Sequence, residues 1–351
     1  MTPPEARIAV FLPNRVGDAI QATPALRALR HGSGGQALIT GVGPPAIGEL
    51  LEGLPFLDSF LVRPAPAGRL ERLASTVRLF RTLRPDLALL LTNDRGSAAA
   101  AWLARVPSRI GADHYGRGSL LTRAVPVRRE RGRPVPVPMI EFYLDLAREA
   151  GYPGEDRRTE LATTRADEAA ADRVWTAFGP GMERPVAVLA NASASGPAKL
   201  WPVSAMAELA RRLVRDRGLR VLLLHGPGEE ERARQTAVAA GCGGVCTLAP
   251  VPASIGLAKA CIRRARLLVS TDSGPRHMGP ALGVPTVSLF GPTDPAWTDP
   301  GTPLDLPIRA AQRCPSRQGQ SCAPQQRACM NDLTVDSVWL AVEKQLERGR
   351  A

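Results

Sequence analysis

Residues 7–30 read RIAVFLPNRVGDAIQATPALRALR, and this stretch decides the fold class. Its first part, Arg7–Leu12, is a short apolar run with the composition of a buried strand. Its last part, Ala19–Arg30, carries small and apolar residues at helical spacing, and Pro13–Asp18 forms the loop between them. A strand, a short loop and a helix make up the first half of a βαβ unit, so the sequence predicts an α/β fold with parallel strands.

The same alternation of short apolar runs and amphipathic stretches continues along the chain. In the first half it predicts strands at Ala37–Thr40, Ser59–Val62, Leu87–Leu91 and Ser108–Ile110, and helices at Arg69–Leu83 and Ile140–Ala150. In the second half it predicts strands at Val186–Leu189, Arg220–Leu224, Val245–Leu248, Leu267–Ser270 and Thr286–Leu289, and helices at Asp167–Phe178, Val203–Arg217, Glu229–Ala240, Ser254–Arg264 and Val335–Arg348. The polar stretch Gly151–Arg165 is typical of a linker. We therefore expect domains at residues 1–165 and 166–334, followed by a C-terminal helix within residues 335–351.

The composition is that of a globular protein. The chain has 351 residues, of which 44% are hydrophobic and 22% charged, which suits two domains of ordinary size. No stretch approaches the roughly 18–20 consecutive apolar residues of a membrane-spanning helix, and the N-terminus lacks a signal-peptide pattern. We therefore expect a cytoplasmic protein.

The net charge of +12 comes mainly from arginine, since only Lys199, Lys259 and Lys344 are lysines. With abundant Ala, Gly and Pro, this usage is typical of a GC-rich coding bias. Charge alone leaves a nucleic-acid-binding protein as an alternative, but aromatic residues are only 4% of the chain and no nucleic-acid motif is present. We therefore expect no nucleic-acid partner. The densest basic segment is Arg105–Arg133.

The turn after the first strand holds one glycine and one acid, Gly17 and Asp18. The fingerprint G-x-G-x-x-G is absent there, and the phosphate-binding loop G-x-x-x-x-G-K-S/T is absent throughout, which argues against a dinucleotide cofactor and a P-loop ATPase. Two roles remain open for Asp18. It is either the N-cap of the following helix or a general base at the carboxyl end of the strand.

Two later loops are candidates for binding phosphate. In residues 191–202, NASASGPAKLWP, small hydroxyl residues Ser193 and Ser195 precede Lys199, and such a loop offers hydroxyls, amides and one point charge. A solvated loop cation is the alternative for Lys199. In residues 270–279, STDSGPRHMG, a strand ends at a helix that starts near Pro275, so its free amides form an anion site.

Three further acids and one histidine have two interpretations each. Glu229, Glu230 and Glu231 open a helix, where they either complement the helix dipole or bind ribose hydroxyls. His277 lies one turn into its helix and is either a packed side chain or a catalytic group.

The six cysteines contain no CxxC pair. The spacing of Cys314, Cys322 and Cys329 is looser than that of usual zinc sites, so whether they bind a metal stays open. The sequence also lacks a D-x-D triplet. We expect neither a metal nor a cofactor at the functional site.

Together these segments resemble glycosyltransferase family 9, the ADP-heptose:lipopolysaccharide heptosyltransferases. The resemblance extends from Ile8 to Leu346 and is carried by VGDAIQATPALRALR, GPAKLWP, GPGEEER, STDSGPRHMGPALGVPTVSLFGPTDP and CMNDLTVDSV. GPAKLWP and CMNDL are most similar to the heptosyltransferase II branch. The chain departs from many members at Asn191–Ser193, where they have Pro-Gly-Ala, and at Pro275-Arg276, where they have Leu or Met.

This resemblance implies a GT-B fold, in which two Rossmann-like, doubly wound domains face a central cleft. The first domain would bind the acceptor and the second the nucleotide sugar, with the last helix crossing back to the first domain. The implied activity is an inverting, metal-independent transfer of heptose from ADP-heptose to a phosphorylated glycolipid, the lipopolysaccharide inner core, with peripheral contact at the inner membrane.

The resemblance also assigns roles to single residues. Asp18 would be the catalytic base, and Lys199 would stabilise the leaving diphosphate. The donor would contact Ser193, Ser195, Lys199, Glu229, Asp272, Ser273, Gly274 and His277. The acceptor would contact Arg15, Arg109 and Arg117. Two alternatives remain open: a family-9-like transferase that acts on a capsule or a small metabolite, and a sugar-nucleotide epimerase with the same fold.

Overall fold

The structure is a computed structural model that describes residues 6–64, 68–127, 129–130, 133–134, 137–177, 179, 184–193, 196–248, 251–310 and 328–348. The contacts divide the chain into two compact units. Unit 1 comprises Met1–Glu160 and Ala296–Pro300, and unit 2 comprises Leu161–Pro295 and Gly301–Ala351. The division at Glu160 falls inside the stretch that the sequence marks as a linker.

Unit 1 is built on a parallel sheet of six strands in the order β3-β2-β1-β4-β5-β6. Its strands are β1 (Arg7–Phe11), β2 (Leu38–Gly43), β3 (Ser59–Val62), β4 (Leu87–Leu90), β5 (Ser108–Ala112) and β6 (Arg123–Val125). Its helices are α1 (Val16–Gln21), α2 (Thr23–Gly32), α3 (Pro45–Leu51), α4 (Arg69–Leu83), α5 (Arg95–Leu103) and α6 (Met139–Glu149). A separate antiparallel pair consists of β7 (Arg129–Glu130) and β8 (Arg133–Pro134).

Unit 2 repeats this architecture, with a six-stranded parallel sheet in the order β11-β10-β9-β12-β13-β14. Its strands are β9 (Val186–Ala190), β10 (Arg220–Leu224), β11 (Val245–Thr247), β12 (Leu267–Thr271), β13 (Thr286–Phe290) and β14 (Asp305–Arg309). Its helices are α7 (Arg165–Ala177), α8 (Val203–Arg217), α9 (Glu230–Ala240), α10 (Ile255–Arg263), α11 (Gly274–Ala281), α12 (Ala328–Asn331) and α13 (Val335–Arg348).

Both sheets therefore have the strand order of a classic doubly wound fold, in which ligands bind at the carboxyl ends of the strands. Every residue of β9, β12 and β13 is buried, as expected for central parallel strands covered by helices on both faces. The predicted α/β class with two doubly wound domains is confirmed. The cleft between them stays a prediction.

The predicted helix at Ala19–Arg30 is instead two helices, α1 and α2. Ala22 is the C-cap of the first and the N-cap of the second, and Pro24 occupies the first turn of α2. Proline is tolerated in a first turn but not in a helix interior, because it lacks the backbone N–H that an interior position donates. The chain must therefore begin a new helix there.

The last helix packs within unit 2. α13 contacts α8, β13 and β14, and its Val338, Val342 and Leu346 join the core of that unit. The return of this helix to the first domain stays a prediction. In the described ranges, no helix is both long and apolar enough to cross a lipid bilayer.

Helix α11 lies unusually close to the sheet of unit 2. A Cβ atom on Gly279 would overlap the hydroxyl of Thr286 on β13, so only glycine fits at this position. This close approach packs the second half of α11 tightly against the sheet.

Candidate active site

The loops of unit 2 that follow β9, β10, β12 and β13 carry the predicted donor-binding residues. Because the carboxyl ends of parallel strands meet at the same edge of a sheet, these loops share one edge. The side chains on that edge make a set of specific contacts.

Two of the predicted residues, Lys199 and Asp272, form an ion pair at this edge. Lys199 Nζ lies 2.5 Å from Asp272 Oδ2, and Thr293 Oγ1 donates a hydrogen bond of 2.7 Å to the same oxygen. The side chains of Lys199 and Asp272 are only 15% and 10% exposed. Burial alone would raise the pKa of Asp272, but the charges of Lys199 and Arg276 outweigh it and hold that pKa below its usual value. Lys199 is therefore not the solvated loop cation of the alternative interpretation.

Arg276 links Asp272 to a second, more deeply buried carboxylate, that of Asp305. The Arg276 guanidinium lies 4.0 Å from Asp272 Oδ1 and 3.2 Å from Asp305 Oδ2. Its NH1 group donates a hydrogen bond of 3.1 Å to His277 Nε2. Burial and then the charge of Arg276 hold the pKa of His277 well below its usual value, so this imidazole is neutral.

The loop that carries Lys199 is fixed at both ends by one asparagine. Asn191 Nδ2 donates to Trp201 O at 2.8 Å, and Trp201 N donates to Asn191 Oδ1 at 3.0 Å. Trp201 is 1% exposed, and its indole nitrogen donates to Leu333 O. Lys199 therefore sits on a loop with anchored ends, in the short 3₁₀ turn Pro197–Lys199.

Glu229 links two of the loops. Its carboxylate accepts hydrogen bonds from the backbone N–H groups of Ser193, at 3.2 Å, and Gly226, at 2.9 Å. Each carboxylate oxygen has a second acceptor site, so the side chain keeps the capacity to bind hydroxyl groups. It lines a small pocket, together with Asn191 and His225. Ser195 lies outside the described residues.

The start of α11 is arranged as an anion site. Ser273 is the N-cap, yet no side chain caps the helix, and Ser273 Oγ donates to Thr271 O at 3.2 Å. Gly274 and Arg276 contribute first-turn amides, whereas Pro275 has none. Amides of this kind, with the helix dipole, favour a bound anion.

Asp18 lies in the first helix of unit 1, but not at the position of a cap. The N-cap of α1 is Arg15, and Asp18 is the third residue of the helix. The N-cap interpretation of Asp18 is therefore wrong. The charge of Asp18 acts on the buried Tyr143. Burial, and then this charge, raise the pKa of the Tyr143 phenol well above its usual value.

The predicted acceptor arginines of unit 1 differ in their surroundings. Arg15 is exposed, as a ligand-binding arginine should be. Arg109 is partly buried, and its guanidinium donates to Leu120 O at 2.8 Å and Val106 O at 2.6 Å.

Arg117 is a correction to the prediction. It is 0% exposed, and its guanidinium donates to Ala112 O at 2.8 Å, Thr92 O at 2.6 Å and Asp94 O at 3.1 Å. Thr92 and Asp94 follow β4, and Ala112 is the last residue of β5, so Arg117 joins the carboxyl ends of these two strands. A fully buried side chain with this set of partners does not suit direct contact with an acceptor, which is what the sequence predicts for it.

The sequence reasoning missed Arg63, which follows β3. Its NH2 group donates a hydrogen bond of 2.8 Å to Asn14 Oδ1, in the loop after β1 that also carries Arg15. This contact joins two loops at the carboxyl edge of the first sheet and adds a second arginine there. The available signal was its position directly after a predicted strand.

Of the three clustered cysteines, Cys329 lies within the described residues. Cys314 and Cys322 lie outside the described residues, and Cys329 is 3% exposed in the core of unit 2. Within the part of the chain that the structure describes, no group of three or more His, Cys, Asp or Glu side chains is arranged to hold a metal ion.

Two doubly wound sheets, each with charged groups at its carboxyl edge, are consistent with the family resemblance. The family model for glycosyltransferase family 9 (heptosyltransferase) matches residues 76–329. The chain belongs to this family. As a member of family 9 it is a glycosyltransferase, and the predicted membership is confirmed.

Relatives within family 9 support the predicted branch. The chain is 29% identical over 307 residues to lipopolysaccharide heptosyltransferase 2 of Escherichia coli K12. The aligned region covers 84% of this chain and 85% of that protein.

Solved structures share the fold. A family 9 glycosyltransferase from Veillonella parvula superposes with a TM-score of 0.81 at 20% identity, over 99% of each chain. The E. coli ADP-heptose lipopolysaccharide heptosyltransferase II superposes with a TM-score of 0.74 at 24% identity, over 98% of this chain and 100% of that one. Both likenesses confirm the fold of this family 9 protein.

Proposed function

We propose that this family 9 protein transfers heptose from an ADP-heptose donor to the inner core of a lipopolysaccharide. The match to lipopolysaccharide heptosyltransferase 2 along 84% of the chain carries the proposal. The proposed place of action is the cytoplasm, in peripheral contact with the inner membrane, because the acceptor is a glycolipid.

In the proposed reaction an acceptor hydroxyl attacks the anomeric carbon of the heptose. The new C–O bond forms as the bond between that carbon and the diphosphate oxygen breaks, and the bonding electrons leave with ADP. Asp18 accepts the hydroxyl proton. A positioned base of this kind contributes about 10²–10⁴-fold to rate. Attack from the face opposite the diphosphate inverts the anomeric configuration.

The donor half of the mechanism uses the edge of unit 2. The ammonium of Lys199 would bind the diphosphate through donors that its pair with Asp272 leaves free, since an ammonium has three. The amides at the start of α11, including that of Gly274, would bind the same group, and Ser273 would flank it. Fixed charges and dipoles at a departing anion stabilise the transition state electrostatically. Glu229 would bind the ribose hydroxyls.

The acceptor half uses the exposed arginine of unit 1. Arg15 would contact acceptor phosphates, because a guanidinium binds phosphate oxygens in a bidentate manner. Arg63, which lies in contact with the neighbouring Asn14, would contribute a second guanidinium to the same role. Arg109, with its bonds to backbone carbonyls, has less of its guanidinium available for a ligand.

A panel of nucleotide sugars tests the proposal. Purified protein is incubated with ADP-heptose, ADP-glucose or UDP-N-acetylglucosamine, with or without a heptose-deficient lipopolysaccharide. We expect release of ADP only from ADP-heptose and only with acceptor present. Nucleotide release without acceptor, with interconversion of the free sugar nucleotide, would instead support the epimerase alternative. Release only with a capsule or small-metabolite acceptor would support a different transferase.

Metal independence is part of the proposal, because the sequence has no D-x-D triplet. Activity should be the same with EDTA as with added Mg²⁺ or Mn²⁺. Loss of activity in EDTA, restored by a divalent metal, would refute this part and leave the heptose assignment standing.

A further inference from the structure

The buried Arg276 of α11 has no role in the proposed mechanism, but it belongs to a series of four charged side chains that ends at Lys199. This series of ion pairs starts at Asp305 on β14 and continues through Arg276 on α11 to Asp272 at the end of β12. It ends at Lys199. Two cations alternate with two anions, so the charges balance. Ser288 Oγ donates a hydrogen bond to Asp305 Oδ1, at the other end of the series.

Arg276 is held from several directions. Its side chain is 1% exposed, and that of Asp305 is 2% exposed. The centre of the guanidinium lies 4.7 Å from the centroid of the Phe290 ring, at a distance typical of a cation–π contact. The ion pair with Asp305 and the contact with Phe290 together give the guanidinium one well-defined position. Truncation of the Arg276 side chain would leave the buried Asp305 without this cation at 3.2 Å.

This position determines the protonation of the neighbouring histidine. A guanidinium only donates hydrogen bonds, so His277 Nε2, 3.1 Å from Arg276 NH1, must be the acceptor. The hydrogen of the neutral imidazole is then on Nδ1. His277 is thus fixed as the tautomer that donates through Nδ1 and accepts through Nε2.

We propose that Arg276 is a positioning residue of the donor site, which fixes the tautomer of His277 and, together with Lys199, holds Asp272 in place. The inference rests on the proposed function, because it assigns the arginine to the donor half of that reaction. Asp305 is the anchor that fixes Arg276. No contact between Arg276 and a substrate is required.

Within the described residues, three charged groups act on His277. They are Arg276 on its own helix, Asp272 after β12 and Lys199 in the loop after β9. Asp305 on β14 acts through Arg276. On the neighbouring helix α10, Lys259 is 0% exposed and pairs with Asp167 of α7 at 3.4 Å, so its charge is balanced.

Nitrogen NMR of protein labelled in its histidines tests the tautomer directly. The chain has four histidines, and the signal of His277 is assigned with His277→Gln. In the full-length parent protein we expect an unprotonated Nε2 and a protonated Nδ1, unchanged between pH 5 and 8. In Arg276→Met the imidazole should lose the fixed tautomer, and its pKa should rise toward the usual value, because the charge of Arg276 is gone while Asp272 remains. A parent His277 that is protonated at Nε2, or titrates in this range, would overturn the proposal.

Binding of ADP gives the second measurement. By calorimetry, Arg276→Met should weaken ADP binding by about 10-fold and introduce a pH dependence between pH 5 and 7 that the parent lacks. Arg276→Lys, which can still donate to either His277 or Asp305, should restore part of the affinity and serves if the methionine variant does not fold. ADP binding and pH dependence equal to the parent in both variants would refute the role.

Lys259→Met is the matched control, because it removes another buried cation of the same unit, one that pairs with Asp167 of α7. It should lower stability without a new pH dependence of ADP binding. An equal pH dependence in this control would show a general effect of destabilisation and contradict the proposal. The NMR measurement needs no heptose or acceptor, so it decides the tautomer even if the parent proves inactive as a heptosyltransferase.

Discussion

Lys199 Nζ lies 2.5 Å from Asp272 Oδ2, although 73 positions separate the two residues in the chain. They meet because β9 and β12 are adjacent in the sheet of unit 2, so the loops that follow these strands are neighbours. The pair is mostly buried, and its anion is shared with Thr293 and Arg276. A cation fixed in this way needs little reorganisation to bind a phosphate.

Lys199→Met should weaken ADP binding at least about 10-fold, since it removes a charge-assisted contact. Asp272 keeps Thr293 and Arg276, so the fold should survive with its melting temperature lowered by a few degrees. Calorimetry with ADP and thermal unfolding measure the two effects. Thr293→Val, which removes a hydrogen bond to Asp272 and no charge, is the control and should have the smaller effect on ADP affinity. ADP affinity within twofold of the parent would remove Lys199 from the donor site.

Asp18→Asn should lower turnover by about 10²-fold or more, because the amide cannot accept a proton. Asp18 is not the N-cap of its helix, so the free energy of unfolding should change by less than about 1 kcal/mol. ADP affinity should match that of the parent, since the change lies in unit 1. Steady-state kinetics, urea unfolding and calorimetry on this variant separate a base from a structural residue. Turnover within a few-fold of the parent would exclude Asp18 as the base.

Arg117→Met should destabilise the protein by about 2–4 kcal/mol, because it removes the hydrogen bonds that this buried guanidinium donates to the carbonyls of Ala112 and Thr92. Arg15→Gln is the comparison. Since Arg15 is exposed, its loss should change stability by less than about 0.5 kcal/mol and raise the KM for the acceptor. Urea unfolding and acceptor titration test both. The assignment of Arg117 fails if its variant is as stable as the parent.

Glu168→Gln should destabilise the protein in a pH-dependent way. Burial alone would raise the pKa of Glu168, but hydrogen bonds from Arg263, Thr163 and Arg264 outweigh it and lower the pKa to about 2. When folding lowers the pKa of a carboxyl group, the ionised group stabilises the folded state at any pH above the pKa it has in the unfolded state. This stabilisation is lost as the pH falls through the pKa of the group in the folded state.

At pH 7 we therefore expect a loss of about 1–2 kcal/mol in Glu168→Gln, after allowance for solvent screening. The difference from the parent should shrink as the pH falls from about 4.5 toward 2. Urea unfolding at pH 7, 4.5 and 3 measures it. Glu231→Gln, from an exposed pair with Arg234, is the control and should have a much smaller effect on stability at each pH, because solvent screens an exposed pair. A loss that does not vary with pH would contradict the assignment.

Most of the sheet strands could be predicted because buried parallel strands are short, nearly continuous apolar runs. The predicted strands Ser59–Val62 and Arg220–Leu224 have their observed bounds, and most of the others differ by one or two residues. The last strand, β14, was missed because Asp305–Arg309 alternates in burial and contains Pro307. Proline in a sheet is confined to edge strands, and β14 is an edge strand.

The candidate site was predictable residue by residue but not as a set of contacts. The position of Asp272 after a strand indicates the correct edge, but its partners depend on strand order, which periodicity does not determine. Arg117 shows the same limit. In a segment rich in Gly, Pro and Arg it has the pattern of an exposed cation, and only its backbone acceptors show that it is buried.

The strand order of both sheets has a consequence for the synthesis of the chain. In each unit the first strand to leave the ribosome lies inside the sheet. β1 pairs with β2 and β4, and β9 pairs with β10 and β12. A nascent chain that ends before β4 therefore cannot pair both edges of β1, and the apolar run of that strand stays open to other chains. Unit 1 can complete its sheet while unit 2 is still being translated, so the period of exposure is confined to one half of the protein at a time.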